Sequence, residues 1–333
     1  MRFAFLGKGG SGKTTVTASF IRHLLSKDYD VLAIDADVNV HLAEALNVEL
    51  AGACPFLSES VNDLIEHLIG TRSDLNGRPL LGSTPPARGS RLIQANKNEP
   101  VLRRFALQRD GLSLIRVGNY NEADVGDSCY HSKLSSLAVF LHHLVDSDEE
   151  FVVADTTAGT DNVATSLAFA YDVNIFVVEP TAKSLSVYQD FMRIAPESIK
   201  EHTYVVGNKI EHHDDELFIQ KTTGKSYLGA LPYSRALKQF EQGNSEKLIE
   251  FQAQLEETLS NVFQVASRHK RNWSTYLSRL KAVHKQVASD WANAMYGCDL
   301  VSGLDDHFSY EAALSEMTAV ALPTPALSST TGN

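Results

Sequence analysis

The sequence of 333 residues contains only three cysteines, too few and too scattered for a disulfide framework. No apolar run approaches the roughly 20 residues of a membrane-spanning helix, and the glycine-rich stretch near the start does not fit a secretory signal. Lys and Arg (30) are outnumbered by Asp and Glu (41), which gives a formal net charge of -11. Broad nucleic-acid binding requires clustered positive charge, so this balance argues against it. We therefore expect a cytoplasmic protein with no membrane segment and no strong case for nucleic acid.

Short apolar runs alternate with helical patterns along most of the chain. Apolar strands joined by helices are typical of βαβ units, in which a parallel sheet is covered on both faces. The pattern therefore predicts an α/β fold with a mostly parallel sheet of seven to eight strands and helices on both faces. The predicted strands are Phe3–Leu6, Val31–Ile34, Leu112–Val117, Phe151–Ala154, Val173–Val178, Thr203–Val206 and Leu228–Leu231. The predicted helices between them include Thr14–Lys27, Leu134–Val145 and Leu185–Ile194.

Changes in composition divide the chain into three predicted parts. The main domain covers residues 1–244, and many Gly and Pro residues predict an irregular insertion within it at about 50–110. From 245 to 291 there is no Gly or Pro, and apolar residues recur at helical spacing. We expect a C-terminal helical extension over 245–320 that contains two amphipathic helices, with a bend in the basic cluster at 267–272. Residues 321–333 are rich in Thr, Ser and Pro, and we expect them to be disordered.

A phosphate-binding loop is the most specific motif. Residues 7–14 read Gly-Lys-Gly-Gly-Ser-Gly-Lys-Thr and match G-x-x-x-x-G-K-[ST] between a predicted strand and a predicted helix. Glycines let backbone N–H groups turn towards phosphates, and the helix presents its positive end to them. We expect Lys13 to reach the β- and γ-phosphates and Thr14 to ligate Mg²⁺. The competing interpretation is a glycine turn with an incidental Lys-Thr pair. The expected nucleotide contacts in this loop are Gly9, Gly10, Ser11, Gly12, Lys13, Thr14 and Thr15.

The early lysine of this loop, Lys8, makes it similar to the deviant phosphate loop of the MinD/ParA-like ATPases. The resemblance implies a SIMIBI-class P-loop fold and a homodimer that holds ATP between its two subunits. It also implies that Lys8 acts on the nucleotide of the other subunit, as an arginine finger does, which is worth roughly 10³–10⁵ in rate. The alternative is that Lys8 is a solvated loop lysine.

Three aspartates follow predicted strands at the edge where ligands bind in parallel sheets. Asp35 and Asp37 follow the second strand, and Asp155 follows an apolar run at the position called Walker B. The resemblance implies that Asp37 orients the attacking water and that Asp155 holds Mg²⁺. It implies for Asp35 a role in supporting the loop and the magnesium shell. The alternative for Asp35 is a helix cap for a segment that starts near residues 39–41.

The resemblance also implies a pocket for the adenine base. Asn208 would recognise the base, since its side-chain amide has both a donor and an acceptor. A turn residue at a strand end is the alternative for Asn208. Lys209 follows it directly, and residues 231–233, which include Pro232, are similar to the second base-contacting segment of these proteins.

A narrower resemblance, over about residues 1–245, is to the ATPases that mature nickel-containing carbon monoxide dehydrogenase. Those proteins bind a metal at the dimer interface through Cys-x-Cys, whereas this chain reads Cys129-Tyr130-His131. Cys and neutral His both ligate Zn²⁺ and Ni²⁺, so a Cys₂His₂ site shared by two subunits is one hypothesis. The other is a buried cysteine beside an exposed histidine, with no metal. The segments that carry the resemblance are 33–37, 115–118, 126–131 and 178–185.

Two further histidine pairs, at 142–143 and 212–213, have no partners at ligand spacing. We interpret both pairs as surface or helix residues.

The resemblance thus implies a Mg²⁺-dependent ATPase that works as a homodimer and matures a metalloenzyme client. The first alternative is a ParA/MinD-type regulatory or positioning switch that acts on a protein partner. The second is a non-catalytic protein in which the nucleotide is only a structural ligand. Intact Lys8, Lys13, Asp37 and Asp155 argue against that second alternative.

Overall fold

The computed structural model describes residues 1–49, 54–120, 130–147, 149–158, 167–266 and 268–321, with only the backbone described at 130–132 and 318–321. The strands are β1 (Arg2–Gly7), β2 (Asp30–Ala36), β3 (Ile93–Gln94), β4 (Ala106–Arg109), β5 (Leu112–Arg116), β6 (Leu144–Val145), β7 (Glu150–Thr156), β8 (Val173–Val178), β9 (Thr203–Ile210) and β10 (Tyr227–Pro232).

The α-helices are α1 (Lys13–Leu25), α2 (Leu42–Ala45), α3 (Val61–Ile69), α4 (Pro100–Phe105), α5 (Tyr130–His143), α6 (Ala182–Ile194), α7 (Glu197–Lys200), α8 (His213–Thr223), α9 (Arg235–Glu241), α10 (Lys247–Ala253), α11 (Glu256–Ala266), α12 (Trp273–Val287), α13 (Asn293–Tyr296) and α14 (Tyr310–Ala321). Single 3₁₀ turns cover Leu167–Ala170, Gly224–Ser226 and Val301–Gly303, and a π turn covers Ala288–Ala292.

The main sheet has eight strands in the order β10-β9-β8-β1-β7-β2-β5-β4. All neighbouring pairs from β10 to β5 are parallel, and only β4 runs antiparallel, beside β5. The predicted mostly parallel α/β sheet is therefore confirmed. The order places β1, which leads into the phosphate loop, between β7 and β8 in the middle of the sheet.

Both faces of the sheet are covered, as β1 illustrates. Phe3 and Phe5 belong to a buried cluster that includes residues of α1 and α11. Ala4 and Leu6, which point the other way, belong to a cluster that includes residues of α3, α5 and α6. Successive strand residues alternate between faces, so an uninterrupted apolar strand needs helices on both sides.

The segment expected to be an irregular insertion contains regular elements. It holds α3, β3, α4 and the antiparallel edge strand β4, none of which we predicted. β4 turns back into β5 through Asp110 and Gly111, and Gly111 takes a positive φ of 72°. A glycine meets that requirement without steric cost.

The C-terminal region is more broken than the two predicted helices. Its first part is split into α10 and α11 at residues 254–255. The helices are interrupted where the bend was expected, because α11 ends at Ala266 and α12 starts after Asn272, whose side chain accepts the N–H of Thr275 at 2.8 Å. α11 is not peripheral, since Leu259 and Val262 are fully buried in the same cluster as α1 and the sheet.

A buried ionic network joins the start of α12 to the sheet. Arg271 donates to Asp146 at 2.8 Å and to Asp172 at 2.7 Å, and Arg2 donates to Asp146 at 2.7 Å. Burial alone would raise the pKa of Asp146, but the charges of Arg2 and Arg271 outweigh it and hold that pKa below its usual range. Breaking such a network on one side leaves a charge buried without a partner, which is strongly destabilising.

Within the described part of the chain, no helix has the length and apolar character needed to cross a bilayer.

We predict that Leu259→Ala lowers the free energy of unfolding by about 2–5 kcal/mol, because it leaves a cavity beneath the sheet. The measurement is urea-induced unfolding followed by circular dichroism. Ile249→Ala on α10 is the control: Ile249 is 79% exposed, and its substitution should change stability by no more than about 0.5 kcal/mol. Equal effects of the two substitutions would show that α11 is not part of the core.

Candidate active site

The loop at residues 8–12 connects β1 to α1 at the carboxyl edge of the sheet. Gly12 has a φ of 87°, and a Cβ built on it would lie 2.0 Å from Nδ2 of Asn208. The Ser11 N–H donates to the carbonyl of Lys8 at 3.0 Å, which closes the turn. The loop is therefore a tight backbone structure that allows no side chain at Gly12.

Lys13 starts α1 and is only 5% exposed. Its Nζ lies 3.4 Å from Oδ2 of Asp37. The structure thus brings together two of the three predicted catalytic side chains. Asp37 remains partly exposed, at 16%, so its carboxylate is accessible from the pocket described below.

Asp155 lies at the end of β7 beneath the phosphate loop and is fully buried. Thr14 donates to its Oδ2 at 2.5 Å, and Thr17 lies 3.3 Å from its Oδ1. Burial and, to a smaller extent, the neighbouring charge of Asp35 raise the pKa of Asp155 to about 7. The predicted magnesium ligands Thr14 and Asp155 are therefore in direct contact.

Asp35 on β2 is the register partner of Asp155 on β7 and is also fully buried. Its Oδ2 accepts the backbone N–H of Leu42, the first residue of α2, at 2.9 Å. Burial raises the pKa of Asp35 to about 7, although the hydrogen bonds from Leu42 and Asp37 act in the opposite direction. This geometry agrees with the loop-supporting role and with the helix-cap alternative, while magnesium ligation by Asp35 stays a prediction.

Asn208 and Lys209, at the end of β9, hold the phosphate loop from the other side. Asn208 Nδ2 donates to the Ser11 carbonyl at 2.8 Å, and Lys209 Nζ donates to the Gly10 carbonyl at 2.8 Å. Lys209 also pairs with Glu179 at 2.6 Å. Asn208 thus has a loop-positioning contact that the sequence did not indicate, and its recognition of a base stays a prediction.

A pocket of 550 Å³ opens beside this loop. Lys8 does not line it and is half-buried, with its Nζ 3.3 Å from the carbonyl of Gly9. Ser11, Asp35 and Asp155 lie beneath the pocket surface rather than on it. The predicted residues that line the pocket are Gly9, Gly10, Gly12, Lys13, Thr14, Thr15, Asp37, Asn208, Lys209 and Pro232.

Two residues that contribute to this site, Thr17 and Glu179, were not predicted from the sequence. Thr17 lies one turn of helix after Thr14 and contacts the same carboxylate, which the i, i+3 spacing could have indicated. Glu179 ends up next to Lys209 only because β8 and β9 are neighbours. Tyr233, which belongs to the predicted base-contacting segment 231–233, also lines the pocket and is 55% exposed.

The predicted binding of a transition metal by Cys129 and His131 stays a prediction. Cys129 lies outside the described residues, and the side chain of His131 is not described. His142 and His143 are the last two residues of α5, which agrees with the helix alternative of the prediction, and both are buried. Burial lowers the pKa of His142 to about 3 and that of His143 to about 4, so both are neutral near pH 7.

The parallel sheet, the phosphate loop and the carboxylates at its edge define a P-loop nucleotide-binding protein. The family model of the CobQ/CobB/MinD/ParA nucleotide binding domain matches residues 3–277, and the chain belongs to this family. It is a P-loop ATPase of the MinD/ParA-like class.

Individual proteins resemble this chain at 18–27% sequence identity. The chain is 27% identical over 237 residues to the ATP-binding protein MJ0823 of Methanocaldococcus jannaschii, covering 70% of this chain and 85% of that protein. It is 24% identical over 243 residues to the carbon monoxide dehydrogenase accessory protein CooC of Rhodospirillum rubrum, covering 73% and 87%. Among solved structures, the MinD cell division protein of Aquifex aeolicus matches with a TM-score of 0.48 at 18% identity, covering 79% and 96%.

We predict that Gly12→Ala weakens ATP binding at least about tenfold, an effect of roughly 1.4 kcal/mol. The added Cβ would strike Asn208 and displace the loop that Asn208 holds. Calorimetric titration with Mg·ATP measures the effect. Gly297→Ala is the matched control: Gly297 also has a positive φ, 64°, but nothing lies within 4 Å of its added Cβ. Should both variants bind ATP like the wild type, the loop geometry described above does not govern binding.

Proposed function

We propose that this ATPase is Mg²⁺-dependent, works as an ATP-driven homodimer and serves as an accessory factor in the maturation of a metalloenzyme. The observation that carries the proposal is the convergence of Lys13, Thr14 and Asp37 on one pocket, with Asp155 directly beneath. That arrangement places a cation, a hydroxyl and two carboxylates where parallel sheets bind ligands.

The chemistry of the site fits a magnesium ion. Thr14 and Asp155 supply the hard oxygen donors that Mg²⁺ prefers, and they lie 2.5 Å apart. Asp155 and Asp35 are buried side by side, and this arrangement disfavours their charged forms. A nearby divalent cation would stabilise those charged forms. When bound, the ion would help to neutralise the charge on the phosphates.

We expect Lys13 to bind the phosphates and Asp37 to position the attacking water. Lys13 lines the pocket and would donate to β- and γ-phosphate oxygens, as the motif implies. Its ammonium now pairs with Asp37 at 3.4 Å. Donation to phosphate would release the Asp37 carboxylate, which would then accept a hydrogen bond from the attacking water and orient it. The pair thus couples nucleotide binding to the positioning of water.

The position of Lys8 supports a role across a dimer. Lys8 belongs to the loop yet does not line the pocket of its own chain, and its Nζ donates to the carbonyl of Gly9 at 3.3 Å. A lysine so placed would reach a nucleotide held by a second copy that faces it. The structure contains one chain, so this arrangement rests on the sequence resemblance and on the placement of Lys8.

We predict that Lys8→Ala retains ATP binding but lowers kcat by about 10³-fold or more, because the charge it supplies in trans is lost. Light scattering should show an ATP-dependent dimer for the wild type and a monomer for Lys8→Ala. Lys209→Ala provides the comparison, since Lys209 contacts the loop of its own chain and should affect binding rather than dimerisation. A Lys8→Ala variant with wild-type kcat would remove the basis for action in trans.

The accessory role rests on the likeness to CooC, over 73% of this chain, and on Cys129 and His131. One Cys and one His from each of two chains make a four-ligand set suited to Zn²⁺. A metal held there would link ATP-driven dimerisation to metal transfer.

We predict that the ATP-bound wild type binds one Zn²⁺ or Ni²⁺ per dimer and that Cys129→Ala abolishes this binding. Equilibrium dialysis with elemental analysis measures the stoichiometry. Cys54→Ala is the control, because Cys54 is a free thiol that packs against the core on one sheet face. A wild type that binds neither ion in the ATP state would contradict the metal half of the proposal. ATP-dependent dimers without metal would instead favour the switch that acts on a protein partner.

A further inference from the structure

A second cavity, of 610 Å³, lies between the main domain and the C-terminal helices. α3 and α5 form one wall, and α12 with the π turn that follows it forms the other. The 3₁₀ turn Leu167–Ala170 contributes Phe169 to the lining. The volume is typical of small-molecule sites, which span roughly 300–1,000 Å³.

The walls of this cavity are mostly apolar. Ile65, Leu134 and Val283 come from three different helices, and no Asp or Glu lines the cavity among the described residues. Trp291 and Tyr296 also line it while being 48% and 42% exposed, so they lie where the cavity meets solvent. An apolar chamber with exposed aromatic residues at its opening is suited to an apolar molecule that enters from water.

One cation contributes to this apolar lining. Arg279 on α12 is half-buried, and its guanidinium lies 5.7 Å from the centre of the Phe169 ring. Throughout the part of the chain that the structure describes, no carboxylate pairs with Arg279. Asp172, which lines an adjoining pocket together with Arg279, already accepts from Arg271 at 2.7 Å and from the Arg2 N–H at 2.8 Å.

His142 contributes a buried ring nitrogen without a partner, although its ring also bonds to the backbone of Gly82. It lines the same cavity, is 5% exposed, and its Nδ1 has no hydrogen-bond partner. A buried polar atom left unpaired is costly, and such atoms in native structures call for an explanation. A ligand with a polar group inside this cavity provides one.

We propose that this cavity binds an amphipathic carboxylate of the fatty-acid class, with its apolar chain between α5 and α12 and its carboxylate on Arg279. A carboxylate matches the planar fork of a guanidinium through two parallel hydrogen bonds. A phosphate monoester would bring about two negative charges to a lining that offers one cation. The proposal is independent of the ATPase site and of the function proposed above.

The test is calorimetric titration of the full chain with sodium dodecanoate below its micellar concentration. We expect saturable binding at one site per chain. Arg279→Gln should weaken it at least about tenfold, because a charge-assisted hydrogen bond is lost. Val283→Trp should abolish it by filling the cavity; Val283 is half-buried rather than core, so the larger ring is compatible with folding. Arg193→Gln, at a 72% exposed arginine on α6, should bind like the wild type.

Two further measurements test whether the charge contributes to binding and whether the variants are folded. Dodecanol, which has the same chain without the charge, should bind the wild type at least about tenfold more weakly than dodecanoate. ATP turnover by Arg279→Gln and Val283→Trp, which lie outside the nucleotide pocket, reports whether these variants are folded. Absence of saturable dodecanoate binding to the wild type would overturn the proposal. Equal binding by folded Arg279→Gln and Val283→Trp would overturn it as well.

Discussion

Two buried aspartates side by side in the middle of the sheet impose the constraint on which the rest of the site depends. Asp35 and Asp155 are register partners on adjacent strands, and neither is exposed to solvent. Isolated charges in such surroundings are costly, so each must be neutralised or hydrogen-bonded. The protein supplies the Leu42 N–H to one and the hydroxyls of Thr14 and Thr17 to the other. The same contacts fix the loop after β2 and the first turn of α1.

The phosphate loop is held by contacts from β7 on one side and from β9 on the other. Asp155 binds the start of α1 from below, while Asn208 and Lys209 bind the carbonyls of Ser11 and Gly10 from β9. Their positions follow from the strand order, in which β8 and β1 separate β9 from β7. Fixing the loop in this way favours phosphate binding, because preorganised donors need little rearrangement when the ligand arrives.

Much of this architecture could be predicted from the sequence. The apolar strands and the helix after Lys13 follow from hydrophobic periodicity, and a glycine-rich loop between them has one well-understood use. The meeting of Asp37, Asp155 and the start of α1 at one edge also follows, since the carboxyl ends of parallel strands lie there. The direct contacts of Lys13 with Asp37 and of Thr14 with Asp155 were not predicted.

Other features depend on the tertiary structure. β4 is a short edge strand, and only the Asp110-Gly111 pair before β5 marked its turn. The hydrogen bond from Asn208 to Ser11 joins residues 197 positions apart, which no local pattern encodes. The burial of His142 could not be predicted because elements distant in sequence cover it: Tyr276 of α12 packs against its ring, and the hydroxyl of Tyr310 in α14 donates to its carbonyl.

The central claim is that Asp155 and Thr14 recruit Mg²⁺ to a triphosphate on this loop. The most direct measurement is calorimetric titration of ATP into wild type and Asp155→Asn, each with magnesium and with EDTA. We expect magnesium to tighten ATP binding to the wild type by about tenfold or more and to have little effect on Asp155→Asn. Wild-type ATP affinity that is the same with magnesium and with EDTA would show that Asp155 and Thr14 do not recruit the ion.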